Sequence, residues 1–363
     1  MLDMGFVARE IASPNFPVAD AAAPVQSTAG VIAHANIAAI PVVDSDRRFK
    51  GLLSQRDIMF LLAQGQDLET TMTGDVVHGS AAFDADRVIE RSDQAMIDGL
   101  PMAPVVEDGR LLGVVTPADV DAQLRITAIL GVRASELITE VSPEDEMDFG
   151  LRGHYLMCGA DALVCIRDAL RQSGLGKPQT ILDLPSGHGR VMRFLRVEFP
   201  DAELTACDVN WGGVDFCAKT FNARPVYSDR DLTEVDLDQT FDLVWSGALF
   251  MHLDLQHWLE LHSFLVERVA PGGLLVITAM GDLNARDLRT LEMWDDQIEQ
   301  MRASYDETGF GYQPYRTDPA WGISIASPEF VRREVERRGD LQLVSFKPRG
   351  LERQDVYVCR RPG

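Results

Sequence analysis

The chain lacks most of the features that mark membrane-bound, secreted or metal-binding proteins. It contains no run of eighteen apolar residues, which a helix needs to cross a membrane. Its first residues do not form a basic segment followed by an apolar one, so we expect a cytoplasmic protein without a secretory signal. The cysteines have no metal-ligand spacing, so we expect reduced core residues and no metal site. They are Cys158, Cys165, Cys207, Cys217 and Cys359.

Basic residues are also scarce. There are 34 Lys and Arg against 56 Asp and Glu, which gives a net charge of −22. No basic stripe is available to neutralise a phosphate backbone, so we expect no nucleic-acid partner. With 363 residues, 46% of them hydrophobic and 25% charged, the chain is long enough for two globular domains, each with its own core.

The main chemical signal is a glycine-containing turn between an apolar run and a helical pattern. Residues 181–184 form the apolar run, which carries Asp183, and Gly187 and Gly189 lie in the turn. A second apolar run ends about twenty residues later in Asp208. This order is typical of a nucleotide-binding βαβ unit, in which glycines let the backbone approach the ligand and the second carboxylate binds ribose hydroxyls. The Gly-x-Gly-x-x-Gly of a dinucleotide site is missing, and a strand, turn and helix that only pack together are the alternative.

These residues resemble motif I of the class I S-adenosylmethionine (SAM) methyltransferases, an acidic residue followed by Gly-x-Gly-x-Gly. Here Pro185 replaces the first glycine, and Gly187 and Gly189 occupy the other two positions. The resemblance extends over about residues 150–363 and implies a Rossmann-like α/β domain with a seven-stranded sheet and SAM as cofactor. It places the ribose at Asp208, the amino-acid end of SAM at the glycine loop, and the adenine near Val209 and the turn at residues 228–229 after the third strand. The implied cofactor contacts are Asp183, Ser186, Gly187, Gly189, Asp208, Val209, Ser228, Asp229 and Ser246.

The rest of this region alternates between strand and helix patterns. Predicted strands cover residues 180–184, 203–208, 225–227, 241–245 and 273–278, and two more at 341–346 and 355–359 close the sheet as a hairpin. Predicted helices cover residues 156–170, 214–221 and 258–269. A last helix is expected to begin at Pro328 behind a Ser327 cap and to end at Gly339.

Two further features lie after the predicted fourth strand. His252 matches a histidine that is common at this place in the family, which implies a general base; a helix-start histidine with a structural hydrogen bond is the alternative. Residues 305–321 combine aromatic side chains with glycine and proline, which predicts a long loop. We expect this loop to cover the acceptor as a lid, with an interface or a self-packed loop as the alternative.

Residues 1–126 contain an internal repeat. Residues 51–57 read Gly-Leu-Leu-Ser-Gln-Arg-Asp, and residues 113–119 read Gly-Val-Val-Thr-Pro-Ala-Asp. Each copy predicts two strands joined by a polar turn and then a helix that begins at a Ser or Thr cap. A helical stretch is expected before each strand pair, at residues 31–34 and 88–96. The pattern resembles a tandem pair of CBS domains, a Bateman module of βαβ-type repeats.

The resemblance also implies a ligand for this module. In CBS domains the Ser or Thr and the Asp of the repeated pattern contact the ribose and phosphates of adenosyl ligands, which here implies Ser54, Asp57, Thr116 and Asp119. The alternative is that each hydroxyl only caps its helix and each carboxylate only favours the helix dipole, which leaves the module as a dimer scaffold. In either case the resemblance implies a homodimer.

Together these patterns predict a tandem CBS module at residues 1–126, a linker at 127–150 with an exposed acidic turn at 142–146, and a methyltransferase domain at 151–363. We expect SAM-dependent methyl transfer to a small or medium-sized polar acceptor, with a glycan precursor as one candidate. The CBS module would dimerise and sense an adenosyl ligand such as an adenine nucleotide. The alternative is a non-catalytic SAM or nucleotide sensor, consistent with Pro185. A nucleic-acid methyltransferase is disfavoured, because no Asn/Asp-Pro-Pro-Tyr/Phe/Trp tetrapeptide follows the fourth strand.

Overall fold

The computed structural model describes residues 6–14, 16–35, 37–77, 82–89, 102–148, 152–235, 237–291, 293–316 and 318–363. Backbone contacts divide the chain into two units. Unit 1 comprises Met1–Glu140 and Glu146–Met157, and unit 2 comprises Val141–Asp145 and Cys158–Gly363. Among the described residues, no helix is both long and apolar enough to cross a membrane. The domain boundaries expected after residues 126 and 150 stay predictions.

Unit 1 contains two three-stranded sheets. In each sheet a short first strand pairs parallel with the second, and the second pairs antiparallel with the third. The repeat in the sequence therefore corresponds to a repeat in the fold. The elements are α1 (Ala8–Ile11), β1 (Ala19–Asp20), α2 (Val25–His34), β2 (Ala39–Val43), β3 (Phe49–Ser54), α3 (Gln55–Ala63), α4 (Thr73–Val76), β4 (Phe83–Asp84), β5 (Ala103–Glu107), β6 (Arg110–Val115), α5 (Pro117–Leu130) and the 3₁₀ segments Gly131–Glu136 and Glu146–Asp148.

Both repeats start a helix directly after their third strand. Ser54 is the N-cap of α3 and Thr116 is the N-cap of α5, and each side-chain oxygen accepts a hydrogen bond from the backbone amide of the Asp three positions later. The predicted caps are therefore present. The predicted helical stretch at residues 31–34 lies in α2. The second stretch, expected at residues 88–96, is not helical at its start, because Val88 forms an antiparallel bridge with Val7, and its residues 90–96 lie outside the described residues.

A seven-stranded sheet forms the centre of unit 2. The elements from residue 152 onward are α6 (Arg152–Ser173), β7 (Thr180–Asp183), α7 (Met192–Glu198), β8 (Glu203–Asp208), α8 (Trp211–Phe221), β9 (Arg224–Tyr227), β10 (Phe241–Ser246), α9 (Leu255–Glu267), β11 (Val269–Ala279), α10 (Asp282–Arg286), α11 (Asp295–Thr308), β12 (Phe310–Pro314), β13 (Gly322–Ala326), α12 (Pro328–Arg338), β14 (Gln342–Leu351) and β15 (Gln354–Arg360), with 3₁₀ segments at Leu232–Glu234, Phe250–His252 and Leu288–Leu291. The sheet order is β14-β15-β11-β10-β7-β8-β9. β15 is antiparallel to both neighbours, and the other pairs are parallel. The predicted seven-stranded α/β fold is confirmed.

The three central strands β7, β10 and β11 are apolar on both faces. Ile181, Leu182, Val244, Leu275 and Ile277 are all fully buried. Such continuous apolar runs are typical of parallel strands whose sheet is covered on both sides. Burial of each large apolar side chain contributes roughly 1.5–3 kcal/mol to the free energy of folding. These stable strands therefore hold the loops at their carboxyl ends in place.

The aromatic stretch at residues 305–321 is not a long loop, so this prediction was wrong. Tyr305 lies in α11, and Phe310 and Tyr312 lie in β12, which pairs antiparallel with β13. The hairpin is stabilised by buried aromatic packing, because the Phe310 and Phe330 rings lie with centroids 5.2 Å apart. Residues 315–321 connect the two strands.

The predicted helix at residues 258–269 was placed too far along the chain. The observed helix α9 begins at Leu255 behind an Asp254 cap and stops before Val269. Val269 cannot continue the helix, because it already pairs with Phe241 as the first residue of β11. By contrast, α12 begins at Pro328 and is ended by Gly339 as its C-cap, as predicted, since cap and stop signals there are both local.

The acidic turn expected at residues 142–146 is exposed only in part. Pro143, Glu144 and Glu146 are exposed as predicted, whereas Ser142 and Asp145 are buried. The expectation of full exposure was wrong because it rested on composition alone, and a buried carboxylate needs a tertiary partner that a local pattern does not show.

Candidate active site

The loop after β7 lies at the carboxyl end of the central strands, where an open α/β sheet places its ligands. The Leu184 amide donates to the Trp245 carbonyl at 3.0 Å, and the Ser186 amide donates to the Cys207 carbonyl at 3.0 Å. These two bonds fasten the loop to β10 on one side and to β8 on the other. Between them the Leu184–Pro185 peptide bond is cis.

Glycines bring this loop against α8. Gly187 and Gly189 adopt positive φ angles of 48° and 79°. A Cβ atom on Gly213, in the first turn of α8, would lie 2.5 Å from the Gly187 carbonyl oxygen. A side chain at Gly213 would therefore force the loop and the start of α8 apart.

Asp208, at the end of β8, accepts one hydrogen bond on each carboxylate oxygen. The Gly187 amide donates to Oδ2 at 2.7 Å, and the Asn210 amide donates to Oδ1 at 2.8 Å. Burial raises the pKa of Asp208, and the two amides oppose that shift. Within the described part of the chain these two amides are the donors with hydrogen-bond geometry to Asp208, and because each carboxylate oxygen has two lone pairs, each keeps one for a further donor.

Three buried polar side chains lie at the ends of β7 and β10. Within the described part of the chain, neither oxygen of Asp183 has a hydrogen-bond partner, and the hydroxyls of Ser186 and Ser246 have none. Asp183 is 1% exposed. Burial first, and then the charge of Asp208, raise the pKa of Asp183 well above its ordinary value, and Arg190 opposes the shift. Because buried polar groups without partners cost free energy, this cluster is suited to the polar groups of a ligand.

A cavity of about 250 Å³ opens beside the loop. Its lining combines carboxylates and imidazoles with apolar and aromatic side chains, as ligand pockets usually do. The lining residues are Leu184, Pro185, Asp208, Val209, Ser228, Asp229, Arg230, Leu232, Leu249, His252, Leu253, Asp254, His257, Glu260, Leu261, Tyr312, Pro319, Ala320 and Trp321.

The ring of His252 is fixed by two oxygen atoms. Its Nδ1 lies 3.1 Å from the Gly322 carbonyl oxygen and 3.0 Å from the Tyr315 hydroxyl. A carbonyl oxygen only accepts hydrogen bonds, so we infer that Nδ1 carries the proton and that Nε2 keeps its lone pair. Burial lowers the pKa of His252, against the opposing bond to Gly322, so the ring is neutral near pH 7.

Sequence reasoning missed several polar residues of the cavity. Asp254 caps α9 by accepting from the His257 amide at 3.0 Å, and its other carboxylate oxygen lies 2.9 Å from His257 Nδ1. An Asp directly before an apolar helical pattern is a cap signal that would have found this pair. The Arg230 guanidinium lies 5.0 Å from the centre of the Trp321 ring, and no local pattern connects residues so distant in sequence.

A second missed contact joins the glycine loop to the acidic segment before it. Asp145 Oδ1 lies 3.8 Å from His188 Nδ1, and both side chains are buried. A Cβ atom on Gly212 would lie 3.2 Å from Glu144 Oε2, so the segment also reaches the first turn of α8. A carboxylate at a helix N-terminus is favourable, and it stabilises this arrangement.

In unit 1, the two carboxylates predicted to bind a nucleotide belong to closed capping boxes. Asp57 Oδ2 accepts from the Ser54 amide at 2.9 Å and from the Ser54 hydroxyl at 2.6 Å. Asp119 Oδ2 accepts from the Thr116 amide and hydroxyl, both at 2.7 Å. Asp57 is exposed, whereas Asp119 is buried. Burial raises the pKa of Asp119, and its hydrogen bonds from Thr116 and Gly153 oppose the shift.

Comparison with known proteins identifies both units. A CBS domain model matches residues 8–64, and a methyltransferase domain model matches residues 181–273. Hypoxic response protein 1 of Mycobacterium tuberculosis is 34% identical over 98 residues, which are 26% of this chain and 68% of that protein. The chain joins a CBS module to a methyltransferase domain. A crystal structure of Hypoxic Response Protein I with two coordinated zinc ions covers 32% of this chain and 97% of that chain, at 28% identity and a TM-score of 0.30.

The relatives of the methyltransferase domain match over part of their length. Malonyl-[acyl-carrier protein] O-methyltransferase of Anoxybacillus flavithermus is 28% identical over 138 residues, which are 37% of this chain and 51% of that protein. The protein of the same name from Acetivibrio thermocellus is 31% identical over 110 residues, which are 30% of this chain and 38% of that protein. The chain thus spans about half or less of the length of these two relatives.

Within the methyltransferase domain, the predicted site residues fall into two neighbouring groups. Asp208, Val209, Ser228, Asp229 and His252 line the cavity. The other predicted residues form or support the buried loop, and the hydrogen bond from Gly187 to Asp208 connects the two groups. In the CBS module the predicted residues come together only as two separate pairs, one in each repeat. The members of the loop group are Asp183, Ser186, Gly187, Gly189 and Ser246.

Proposed function

We propose that the methyltransferase domain transfers a methyl group from SAM to a small or medium-sized polar acceptor. The observation that carries the proposal is the buried cluster of Asp183, Ser186 and Ser246, whose side-chain oxygens have no partner among the described residues. The ammonium and carboxylate of an amino-acid ligand would supply the missing donors and acceptors. A strand, turn and helix that only packed together would not need a buried carboxylate with two unsatisfied oxygens.

Three parts of the site would hold the cofactor. The remaining lone pairs of Asp208 suit two ribose hydroxyls, and Asp183 with Ser186 suits the amino-acid end. Val209 offers an apolar contact for the adenine, and Asp229 offers an acceptor for its amino group. When bound, SAM supplies an electrophilic methyl group that an acceptor attacks in line with the sulfur. The domain contributes position and exclusion of water, which account for most of the rate in such a displacement.

The test of the proposal is SAM binding by Asp208→Ala, measured by isothermal titration calorimetry. Two charge-assisted hydrogen bonds contribute about 1.5–3 kcal/mol each, so affinity should fall at least about tenfold. Asp201→Ala, which removes an exposed carboxylate away from the cavity, is the matched control and should bind as tightly as the wild type. A folded Asp208→Ala variant with unchanged SAM affinity would move the cofactor site elsewhere.

We further propose that His252 is the general base for the acceptor. Its neutral ring, its Nδ1 bond to Gly322 and its place in the cavity leave the Nε2 lone pair able to take a proton. His252→Gln should lower turnover by about 10²–10⁴-fold and leave SAM affinity unchanged. His257→Gln, at a second histidine of the same cavity, is the control. If His252→Gln kept the turnover of the His257→Gln control, His252 would have a structural role.

The acceptor is expected in the part of the cavity lined by the β12–β13 hairpin region. Tyr312 and Trp321 supply aromatic faces there, and Glu260 supplies an acceptor for hydroxyl groups. This combination suits a small or medium-sized polar molecule, and a glycan precursor is one candidate. We propose that the hairpin region covers the acceptor during transfer.

Metabolite extracts incubated with methyl-labelled SAM would identify the acceptor, and SAM binding without any labelled product would favour the non-catalytic sensor.

For the CBS module we propose pairing with a second copy and binding of an adenine nucleotide. Helix α3 exposes Met59, Phe60 and Leu62, three large apolar side chains on a short helix. Exposed apolar patches of this kind mark interaction surfaces, and a two-fold pair would bury the same patch on both copies. Phe60→Asp should convert a dimer of the full chain into a monomer in light scattering, while Gln64→Asp should not. A monomeric wild-type chain would contradict the pairing.

A further inference from the structure

Asp119 of the CBS module accepts a hydrogen bond from outside its own capping box. The Gly153 amide, in the first turn of α6, donates to Asp119 Oδ1 at 2.7 Å. One carboxylate therefore caps two helices, because Oδ2 serves α5 through Thr116 and Oδ1 serves α6. Asp57 in the first repeat differs, since both of the bonds shown for its carboxylate come from Ser54 and its side chain is exposed.

The first turn of α6 lies very close to Asp119, and contacts of the neighbouring residue Arg152 hold it there. A Cβ atom on Gly153 would lie 2.5 Å from Asp119 Oδ1 and 2.7 Å from its Cα, so glycine is needed there. The preceding amide, of Arg152, donates to the Ser13 hydroxyl at 3.0 Å. The Arg152 guanidinium pairs with Asp148 at 3.2 Å in a buried ion pair. The start of α6 is therefore held by backbone and side-chain contacts together.

These contacts make the carboxylate of Asp119, in the second repeat, inaccessible to a ligand. Asp119 is only 3% exposed, and the oxygen that is not bonded to Thr116 is bonded to Gly153. This oxygen keeps a second lone pair, but a ribose hydroxyl could reach it only if the Gly153 turn moved away, because the turn lies so close that a Cβ atom on Gly153 would be 2.5 Å from the oxygen. The equivalent carboxylate of Asp57 is exposed and has no such competitor among the described residues.

We propose that the first turn of α6 occupies the ligand position of Asp119, so that nucleotide binding in the CBS module depends on Asp57. A nucleotide would reach Asp119 only by displacing Gly153, which would uncap a helix that continues to Ser173. The proposal rests on the proposed adenine-nucleotide binding of the module and is independent of the proposed methyl transfer.

The first measurement tests the contact itself, by hydrogen exchange of the full chain. Gly153→Ala should push the start of α6 away from Asp119, and exchange of the first α6 amides should accelerate about tenfold, the effect of one lost hydrogen bond. Gly30→Ala is the matched control, because a Cβ atom on Gly30 of α2 would meet nothing within 4 Å. Unchanged exchange in Gly153→Ala would overturn the proposed occupation of Asp119.

The second measurement tests the assignment, by equilibrium dialysis of the full chain with AMP. Asp57→Asn should weaken AMP binding at least about tenfold, whereas Asp119→Asn should change it less than about twofold. In the Gly153→Ala background, Asp119→Asn should begin to weaken binding, because its carboxylate is then accessible. A wild-type chain that loses AMP with Asp119→Asn and keeps it with Asp57→Asn would overturn the proposal. No saturable AMP binding would refute the nucleotide function and the Asp57 assignment, while the exchange result would still decide the Gly153 contact.

Discussion

The two halves of the chain both bury a carboxylate near the end of a strand, Asp183 as the last residue of β7 and Asp119 in the first turn of the helix after β6, but they satisfy it differently. In the CBS module, Asp119 is 3% exposed and both of its oxygens accept hydrogen bonds from the chain itself. In the methyltransferase domain, Asp183 is 1% exposed and neither oxygen has a hydrogen-bond partner among the described residues. The first arrangement is explained by folding alone, since it caps two helices. The second costs free energy in the folded chain and needs another explanation.

The difference shows that residue type and position do not separate a structural carboxylate from a ligand-binding one. Ser54 and Asp57, or Thr116 and Asp119, lie where a strand passes into a helix, with the same spacing that a ligand contact would use. What separates the two uses is the inventory of hydrogen bonds. A buried group that the chain both bonds and encloses must lose contacts to meet a ligand, whereas an unsatisfied buried group gains a bond. Asp208 lies between these cases, because both of its oxygens are bonded but it lines the cavity.

The largest expected effect that tests this comparison is that of Asp183→Asn, which keeps the shape and removes the charge. SAM affinity should fall about ten- to a hundredfold, because a hydrogen bond to a charged group contributes about 1.5–3 kcal/mol. The SAM-free protein should become more stable, by about 2–4 °C in its unfolding midpoint for each kcal/mol of relief. Calorimetry and thermal unfolding of the full chain measure both changes.

Asp119→Asn is the matched substitution in the CBS module. It disturbs hydrogen bonds from Thr116 and Gly153, so the unfolding midpoint should fall and SAM affinity should not change. If Asp183→Asn also lowered the midpoint and left SAM affinity intact, Asp183 would be a structural carboxylate like Asp119, and the comparison would not hold.

A second, smaller effect is the pH dependence that Asp183 introduces. Its pKa is raised in the folded chain, so it contributes stability that is fully present below the ordinary pKa of 3.8 and is lost as pH rises through the raised value. SAM binding should show the opposite trend, because the ammonium pairs with the ionised carboxylate. Affinity should therefore increase with pH, by up to about tenfold per pH unit below the raised pKa.

Calorimetric titrations of SAM between about pH 5 and 8 would measure this dependence, compared with Asp183→Asn as the control that lacks the titrating group. The variant should give a flatter profile, with Asp208 as the remaining carboxylate of raised pKa in the site. Parallel profiles for the two proteins would show that Asp183 does not change its protonation when SAM binds.

Much of the fold was accessible from the sequence, because its signals are local. The strand ending in Asp208, the Ser327 cap with Pro328 and the paired repeats each depend on a few neighbouring residues. The β12–β13 hairpin was not predicted. Its glycines and prolines are typical of loops, and the packing of Phe310 on Phe330 joins elements that no local pattern connects.

The candidate site was accessible to a lesser degree. The glycine loop and Asp208 follow a recognisable order, and the structure brings them together. The contact of Asp145 with His188 spans residues far apart in the chain, and the contact of Gly153 with Asp119 depends on where α6 begins. No periodicity or spacing encodes such contacts, because they arise from packing between elements.

The smallest expected effect compares two serine hydroxyls. Ser54→Ala removes a cap whose oxygen accepts from the Asp57 amide and whose hydroxyl donates to its carboxylate, so stability should fall by about 0.5–2 kcal/mol. Ser186→Ala removes a buried hydroxyl that has no hydrogen-bond partner among the described residues, so stability of the SAM-free chain should stay within about 0.5 kcal/mol or rise. Urea unfolding of both variants measures the contrast.

The two serine variants should show the opposite order in SAM affinity, with the larger loss in Ser186→Ala. If the Ser186 hydroxyl meets the amino-acid end of the cofactor, Ser186→Ala should lose about 0.5–1.5 kcal/mol of binding free energy, which is about a two- to tenfold loss of affinity. Ser54→Ala should bind SAM as the wild type does, because the bonds that its hydroxyl makes among the described residues are those of the α3 cap. A Ser186→Ala variant that lost stability without losing SAM affinity would show that the hydroxyl has a partner within the folded chain, and the unsatisfied cluster would shrink to Asp183 and Ser246.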